Sequence, residues 1–297
     1  MIKNVSNLVI VGFLLSSGDS FASVKKLDLP KVDSNLLVSM EGKIFPQDSM
    51  PPACKNLLQG EKCNVQSFGR ALIESKKDND LIYNKSVFIG PEGEQQIEQS
   101  WEKNGHVQKA IIENKIIGKL MQMEVKDGKV FYQVTDQKDH SVKKSEDSLD
   151  ENLVVPSTIM SYIKPMTDKI SSGEKIQVKI AVLERMEAYT FNIKKVRDEK
   201  TLSGEPVQVL EMAPASIIVK ALVSPMYFHI KTKTGEMFAF EGESAVRRKV
   251  GDNWKKMQVF TAYEYKVNTS VAAASKSECD PAAMLSGKLP MKCEVKQ

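Results

Sequence analysis

The sequence predicts a mainly β (α+β) fold: a strongly curved antiparallel sheet or half-barrel of about 11 strands around one central helix. Three observations predict it. Short apolar runs with a period near two recur along most of the chain, as half-buried strands require. Asn104-Gly105 and Asp127-Gly128 separate some of them, and these dipeptides favour the positive φ of two-residue hairpin turns. One stretch alone, near the middle, spaces its apolar residues by three and four.

From Ser67 to Asp136 the strands follow in order. Leu81-Ile82-Tyr83 leads into Val87-Phe88-Ile89, and Gly90-Pro91-Glu92-Gly93 marks a turn. Gln95–Glu102, Val107–Glu113, Ile116–Val125 and Val130–Thr135 continue a meander through short turns, Asn114-Lys115 among them. Residues 137–152 are polar and charged and read as a linker or exposed loop. The helix spans roughly Val154 to Ile170, with a stripe of Val155, Ile159, Tyr162, Ile163, Met166 and Ile170. Pro156 suits its first turn, whereas Pro165 kinks or splits it; Ser171-Ser172-Gly173 ends it.

A second meander comprises Ile176–Leu183, Tyr189–Val196, Val207–Met212, Tyr227–Lys233, Met237–Glu241 and Trp254–Tyr265. Between Pro214 and Pro225, Ile217-Ile218-Val219 and Ala221-Leu222-Val223 read as a short buried helix or a fully buried strand. The predicted half-barrel domain is therefore 67–267. Residues 23–66, interrupted by Pro30, Pro46, Pro51 and Pro52, read as a loosely ordered lead-in, and 268–297 as a C-terminal tail.

The first 22 residues read as a secretory signal peptide: Lys3, the apolar core Leu8–Leu15, then Ser20-Phe21-Ala22 before a mature start at Ser23. The apolar run is short of the ~20 residues a spanning helix needs, so the mature chain is expected to have no transmembrane segment. Localisation is accordingly periplasmic or secreted, and no cysteine follows the cleavage site to take a lipid. Cys54, Cys63, Cys279 and Cys293 are an even set in an exported chain and read as two disulfides. Three pairings exist; the short separations favour Cys54–Cys63 and Cys279–Cys293, with a link between the two ends as the alternative. The net charge of +4 is too small and dispersed for a nucleic-acid protein. Arg247-Arg248-Lys249 and Lys255-Lys256 are its densest points and read as a solvated strand edge, with weak attraction to anionic lipid as the alternative.

Several strings around the helix and second meander form a pattern. They are Val155-Pro156-Ser157, Tyr162-Ile163, Gly173-Glu174, Lys194-Lys195, Met212-Ala213-Pro214-Ala215-Ser216, Leu222 to Phe228, and Phe240-Glu241-Gly242-Glu243-Ser244. In their order they resemble a group of exported bacterial domains of unknown function. Those domains place a helix inside an antiparallel half-barrel, distantly like the periplasmic lipoprotein carriers. The resemblance covers roughly Phe68 to Val267 and implies a Gram-negative periplasm; it carries over no site residue.

No catalytic signature emerges. His106, His140 and His229 are far apart in sequence, so neither a metal site nor a cofactor is expected. His106 and His140 read as solvated, whereas His229 alternates with Phe228 and Ile230 and fits either face. Gly242-Glu243-Ser244-Ala245-Val246 lacks the second glycine of a nucleophile elbow and reads as a loop. Glu184-Arg185-Met186-Glu187 reads as a strand carrying a surface ion pair. Methionines are plentiful, and flexible thioethers suit either core packing or a yielding apolar pocket. The sequence therefore favours a non-enzymatic cell-envelope protein that binds a lipid, acyl chain or envelope protein, with Ile159, Ile163 and Met166 as apolar lining. The alternative is a structural or assembly factor without a small-molecule ligand, and an envelope hydrolase is the least favoured reading.

Overall fold

The computed structural model describes residues 36–49, 66–201, 203–221 and 223–266. Eight strands form a first meander: β1 (Leu36–Pro46), β2 (Gly69–Asp78), β3 (Leu81–Gly90), β4 (Gly93–Lys103), β5 (His106–Asn114), β6 (Lys119–Lys126), β7 (Lys129–Asp136) and β8 (Val142–Ser148). Each pairs antiparallel with the next. The second meander runs through β10 (Ile176–Val182), β11 (Glu187–Lys200), β12 (Pro206–Pro214), β13 (Met226–Lys231) and β14 (Met237–Glu243). The two-residue β9 (Leu153–Val154) lies parallel to β10. A small hairpin, β15 (Arg248–Val250) with β16 (Asn253–Lys255), precedes β17 (Gln258–Tyr265). β17 pairs with both β14 and β1 and so joins the meanders into one 15-stranded sheet. Asn104 and Gly105 (φ 51° and 80°), like Asp127 and Gly128 (50° and 72°), have the doubly positive φ of type I′ hairpin turns.

Chain connectivity then sets the curvature. β8 and β9 are the two outermost strands, yet only residues 149–152 separate them. Laid flat, 15 strands spaced ~4.8 Å apart would hold those edges roughly 65 Å from each other. The link can span no more than about 18 Å. The sheet therefore curls until its edges face across a seam. Among the described residues no strand ladder crosses the seam; side chains close it. Val107, Ala110, Met121, Met123, Val130, Tyr132 and Val134 pack there with Leu153, Val155, Ala181 and Leu183. Ser145 Oγ adds a hydrogen bond to the Met186 carbonyl at 3.2 Å.

The concave face holds the helical run 156–171. A 3-10 turn (Pro156–Thr158) leads into α1 (Ile159–Ile163), a second 3-10 turn (Lys164–Met166), then α2 (Thr167–Ser171). Pro165 has no N–H to continue the α-helical ladder, so the run splits there as predicted. Ile163 and Ile170 are fully buried among Phe191, Ile193, Leu210, Met212, Phe228 and Ile230 of the second meander. At one end of the curled sheet, Val246 and Met257 pack inward against Ile44, Ala71 and Val259. Buried Gln95 pins that segment: its Oε1 accepts from the Arg247 N–H at 2.7 Å and its Nε2 donates to the Arg247 carbonyl at 3.2 Å.

The main sheet has 15 strands where about 11 were predicted. β1 lies at the centre of the sheet, within the stretch read as a loose lead-in, and β8 lies within the presumed linker. β6 starts at Lys119, because residues 115–118 form a wider turn ending at Gly118 (φ 64°). Val154 belongs to β9 and not to the helix. Glu184 to Met186 are a turn and not a strand, with Met186 at φ 56°, and Glu184 pairs with Lys119 at 3.5 Å. Residues 217–220 do form a helix, α3 (Ile217–Lys220), but Ile217 and Ile218 point outward and are not buried. The segment read as a signal peptide, all four cysteines and the tail beyond Lys266 lie outside the described residues.

Replacing Ile163 with Asp would bury a carboxylate among aliphatic side chains, and a loss of about 3–5 kcal/mol in urea-unfolding stability is expected. Lys169, exposed in α2, should tolerate Ala within about 0.5 kcal/mol in the same measurement.

Candidate functional site

The concave wall is not uniform. Where β10 to β14 meet the helical run it is apolar, but over β3 and β4 it is polar. Glu98, Ser100 and Glu102 alternate along β4 and share one face, and Asn84 and Ser86 stand opposite on β3. All five are buried, Glu102 and Ser100 completely. The helical run caps this wall. Ser157 Oγ donates to Ser100 Oγ at 2.8 Å, and Ser161 Oγ donates to Glu102 Oε1 at 2.7 Å.

Glu98 ends a hydrogen-bond chain. Asn114 Oδ1 accepts the N–H groups of Ile116 and Ile117, Asn114 Nδ2 donates to Gln96 Oε1 at 2.7 Å, and Gln96 Nε2 donates to Glu98 Oε1 at 2.6 Å. Burial pushes the Glu98 carboxyl up to about 7, against the smaller opposing pull of the Gln96 amide. Glu102 is likewise raised, by burial first, with the Ser161 hydroxyl and the Asn84 amide opposing. The amide is near enough to favour the charged carboxyl, yet Asn84 Nδ2 and Glu102 Oε2 complete no hydrogen bond of sound geometry.

Beside this wall, at the seam, lies a cleft of about 330 Å³ lined by Asn104, Gly105, His106, Glu151, Asn152, Ser161, Tyr162, Pro165 and Met166. Ser161 belongs to both places, so Glu102 sits directly behind the cleft. The Tyr162 hydroxyl is 2.8 Å from the Gln177 carbonyl and 3.0 Å from Asn152 Oδ1, which fixes the cleft floor. His106 is exposed, as the sequence predicts, and its Nδ1 lies 3.1 Å from the Glu151 carbonyl. That imidazole is thus committed to a backbone carbonyl, and Ser161 to a carboxylate. This arrangement can anchor polar groups, and the Ser161 proton is directed at the Glu102 carboxylate.

A second cluster occupies the convex face. Phe228 and Ile230 point to the helical run, so His229 points outward, although it too is fully buried. Its Nδ1 lies 3.1 Å from Glu199 Oε2 and its Nε2 lies 2.8 Å from Glu241 Oε1. An imidazolium satisfies both carboxylates by donating from both nitrogens. Arg197 Nε donates to Glu199 Oε1 at 2.6 Å and its guanidinium carbon lies 5.9 Å from the centre of the Tyr227 ring. Burial acts to lower the His229 pKa, but the two carboxylates together outweigh it and the net direction is up. For Glu199, burial raises the pKa while His229 and Arg197 lower it, and the net direction is down.

Of the predicted lining residues, Ile159 and Ile163 lie inside the packed core, and Met166, half-buried, borders both that core and the seam cleft. Ser244 sits in a loop, its Oγ accepting from the Val246 N–H at 2.9 Å. The polar wall was missed because Ile97, Gln99 and Trp101 form the other face of β4. Ile97 and Trp101 make that face the more apolar one in sequence, but Trp101 packs at a tilt against Tyr83 on the convex face, ring centres 5.2 Å apart. Among the described residues no three His, Cys, Asp or Glu side chains converge as metal ligands.

These features define a barrel-like, mainly antiparallel β domain. No family model matches the chain, and no curated protein matches it. Among solved structures the chain is similar to the crystal structure of a beta-barrel-like protein of a domain of unknown function, DUF1849, from Brucella abortus. The identity is 10% and the TM-score 0.41, over 79% of this chain and 100% of that one. A likeness of this depth assigns neither activity nor ligand.

Two pH effects follow. A carboxyl raised in the fold weakens folding once the unfolded chain ionises, so the Glu98 penalty grows between pH 4.5 and about 7. Glu98→Gln should therefore stabilise the protein by about 3 kcal/mol at pH ~8, with the gain vanishing below pH ~4.5. His229 acts through a raised basic group: its stabilisation is complete below 6.5 and lost as pH climbs through the higher folded value. His229→Gln should cost most stability at about pH 6 and progressively less at alkaline pH, as read from unfolding curves.

Proposed function

We propose that this chain is a non-enzymatic protein of the cell envelope, acting as a structural or assembly factor whose concave face is occupied by its own helical run. The observation that carries this reading is the packing of α1 and α2: Ile163 and Ile170 are fully buried and Ile159 nearly so. An acyl chain beside Ile159, Ile163 and Met166 would have to displace that packing. The cleft at the seam offers histidine, carboxylate, amide and hydroxyl groups beside Pro165 and Met166, so it gives a ligand polar anchors. The envelope setting rests on Lys3, the apolar core Leu8–Leu15 and Ser20-Phe21-Ala22, and among the described residues no helix is long and apolar enough to cross a membrane.

Titration of the purified protein with a fluorescent fatty acid separates this reading from a lipid carrier. No saturable binding is expected. Saturable binding that Ile163→Ala weakens beyond its effect on melting temperature would establish the carrier instead. N-terminal sequencing of the exported protein is expected to begin at Ser23, and a start at Met1 would remove the envelope setting.

A further inference from the structure

Two connections leave the sheet from the same rim. Met212 of β12 stands opposite Met226 of β13, so the 215–225 connection that carries α3 departs there. Tyr227 stands opposite Glu241, and Glu241 opposite Phe260, so the 244–257 connection that carries the β15–β16 hairpin departs beside it. A cleft of about 270 Å³ lies between their roots, lined by Ser224 and Pro225 from one and by Gly242 and Gln258 flanking the other.

What these connections present is unusual for a surface bathed only in water. Ile217 and Ile218 are 83% and 77% exposed, the two most exposed large apolar side chains among the described residues. Pro214 and Pro225 bracket them, and the segment 214–225 holds Lys220 but no acidic residue. The hairpin adds Val250, 45% exposed, and Trp254, half-buried with Lys249 Nζ 5.9 Å from the centre of its ring. Residues 244–257 contain five basic side chains and one acidic, Asp252. Lys256 pairs with Glu243 and Arg248 with Asp48, which leaves the cationic surplus on Arg247, Lys249 and Lys255.

We infer that this rim is a docking surface for an anionic lipid bilayer, Ile217 and Ile218 entering the apolar layer while Lys220 and the β15–β16 hairpin meet the head groups. The charge decides for a membrane over a second copy of the chain. Two such rims would bring like charges together, whereas acidic lipid compensates them. Paired apolar side chains beside cations and an amphipathic aromatic suit an interface of apolar tails and anionic heads. The inference takes its setting from the envelope reading above, but the binding is a property of the rim and is measured separately from acyl-chain binding.

The test is co-sedimentation of the protein with phosphatidylcholine vesicles with and without phosphatidylglycerol. Binding is expected only with phosphatidylglycerol, and added salt should weaken it. Ile217→Ser with Ile218→Ser should weaken it roughly tenfold or more. These side chains are mostly solvent-exposed, so the variant should keep its melting temperature and fold. Lys249→Ala with Lys255→Ala should reduce the dependence on phosphatidylglycerol. In a Trp101→Phe background, brominated lipid should quench Trp254. Failure of the wild type to bind, or equal binding by the double serine variant, would overturn the inference. So would sedimentation velocity showing a dimer that the serine substitutions dissolve, because the rim would then be covered by a second copy. Binding to vesicles without saturable uptake of a fatty acid supports the rim and leaves the filled concave face intact. Uptake without vesicle binding overturns both.

Discussion

The architecture depends on a short piece of chain that makes no strand. Residues 149–152 join the two outermost strands of a 15-stranded sheet, and so few residues cannot bridge a flat one. Curvature is therefore a matter of connectivity before it is one of packing. Once the edges face, the concave side becomes an interior that must be filled. The chain fills it with its next segment, which enters through β9 and returns through β10. Filling and curling are thus successive consequences of one tight link, and the apolar seam favours the curled state where the described residues form no strand ladder across it.

Much of this was legible in the sequence because local chemistry governs hairpins. Asn104-Gly105 and Asp127-Gly128 specify their turns through φ alone, and the strands beside them follow by alternation. Pro165 splits the helical run for an equally local reason. The missed elements are those whose identity depends on distant partners. β8 has no apolar face, since as an edge strand its charged side chains meet solvent on both sides, and a polar strand is indistinguishable from a loop in sequence. β1 was hidden among prolines and lies in the sheet only because β2 and β17 flank it. Ile217-Ile218 looked like core because apolar pairs usually are.

The candidate site was less legible than the fold, for a related reason. Alternation states that Glu98 and Glu102 share a face but not which face is interior. The choice is made by Ser157 and Ser161, which approach from a helical run far along the chain. His229 shows the same dependence, since its carboxylate partners lie on β11 and β14 and no motif links them. These two buried groups also share a direction. Glu98 resists ionising and His229 resists deprotonating, so both favour the folded state on the acidic side of neutrality, whereas Glu199 acts oppositely at lower pH.

The β1–β17 ladder has a consequence for how the molecule reaches its fold. From β2 to β8 and from β10 to β12, neighbouring strands are joined by short turns and can zip in sequence. Residues 40–46 and 259–265, by contrast, come from opposite ends of the described chain and meet at the middle of the sheet. That ladder cannot form until nearly all of the chain is present, and high sequence separation makes such pairing slow. In the interval β1 and β14 are both open edges with apolar residues on one face, templates for pairing with other chains. A polypeptide delivered from its N-terminus onward would keep β1 waiting longest, and its safe assembly depends on shielding one strand in time.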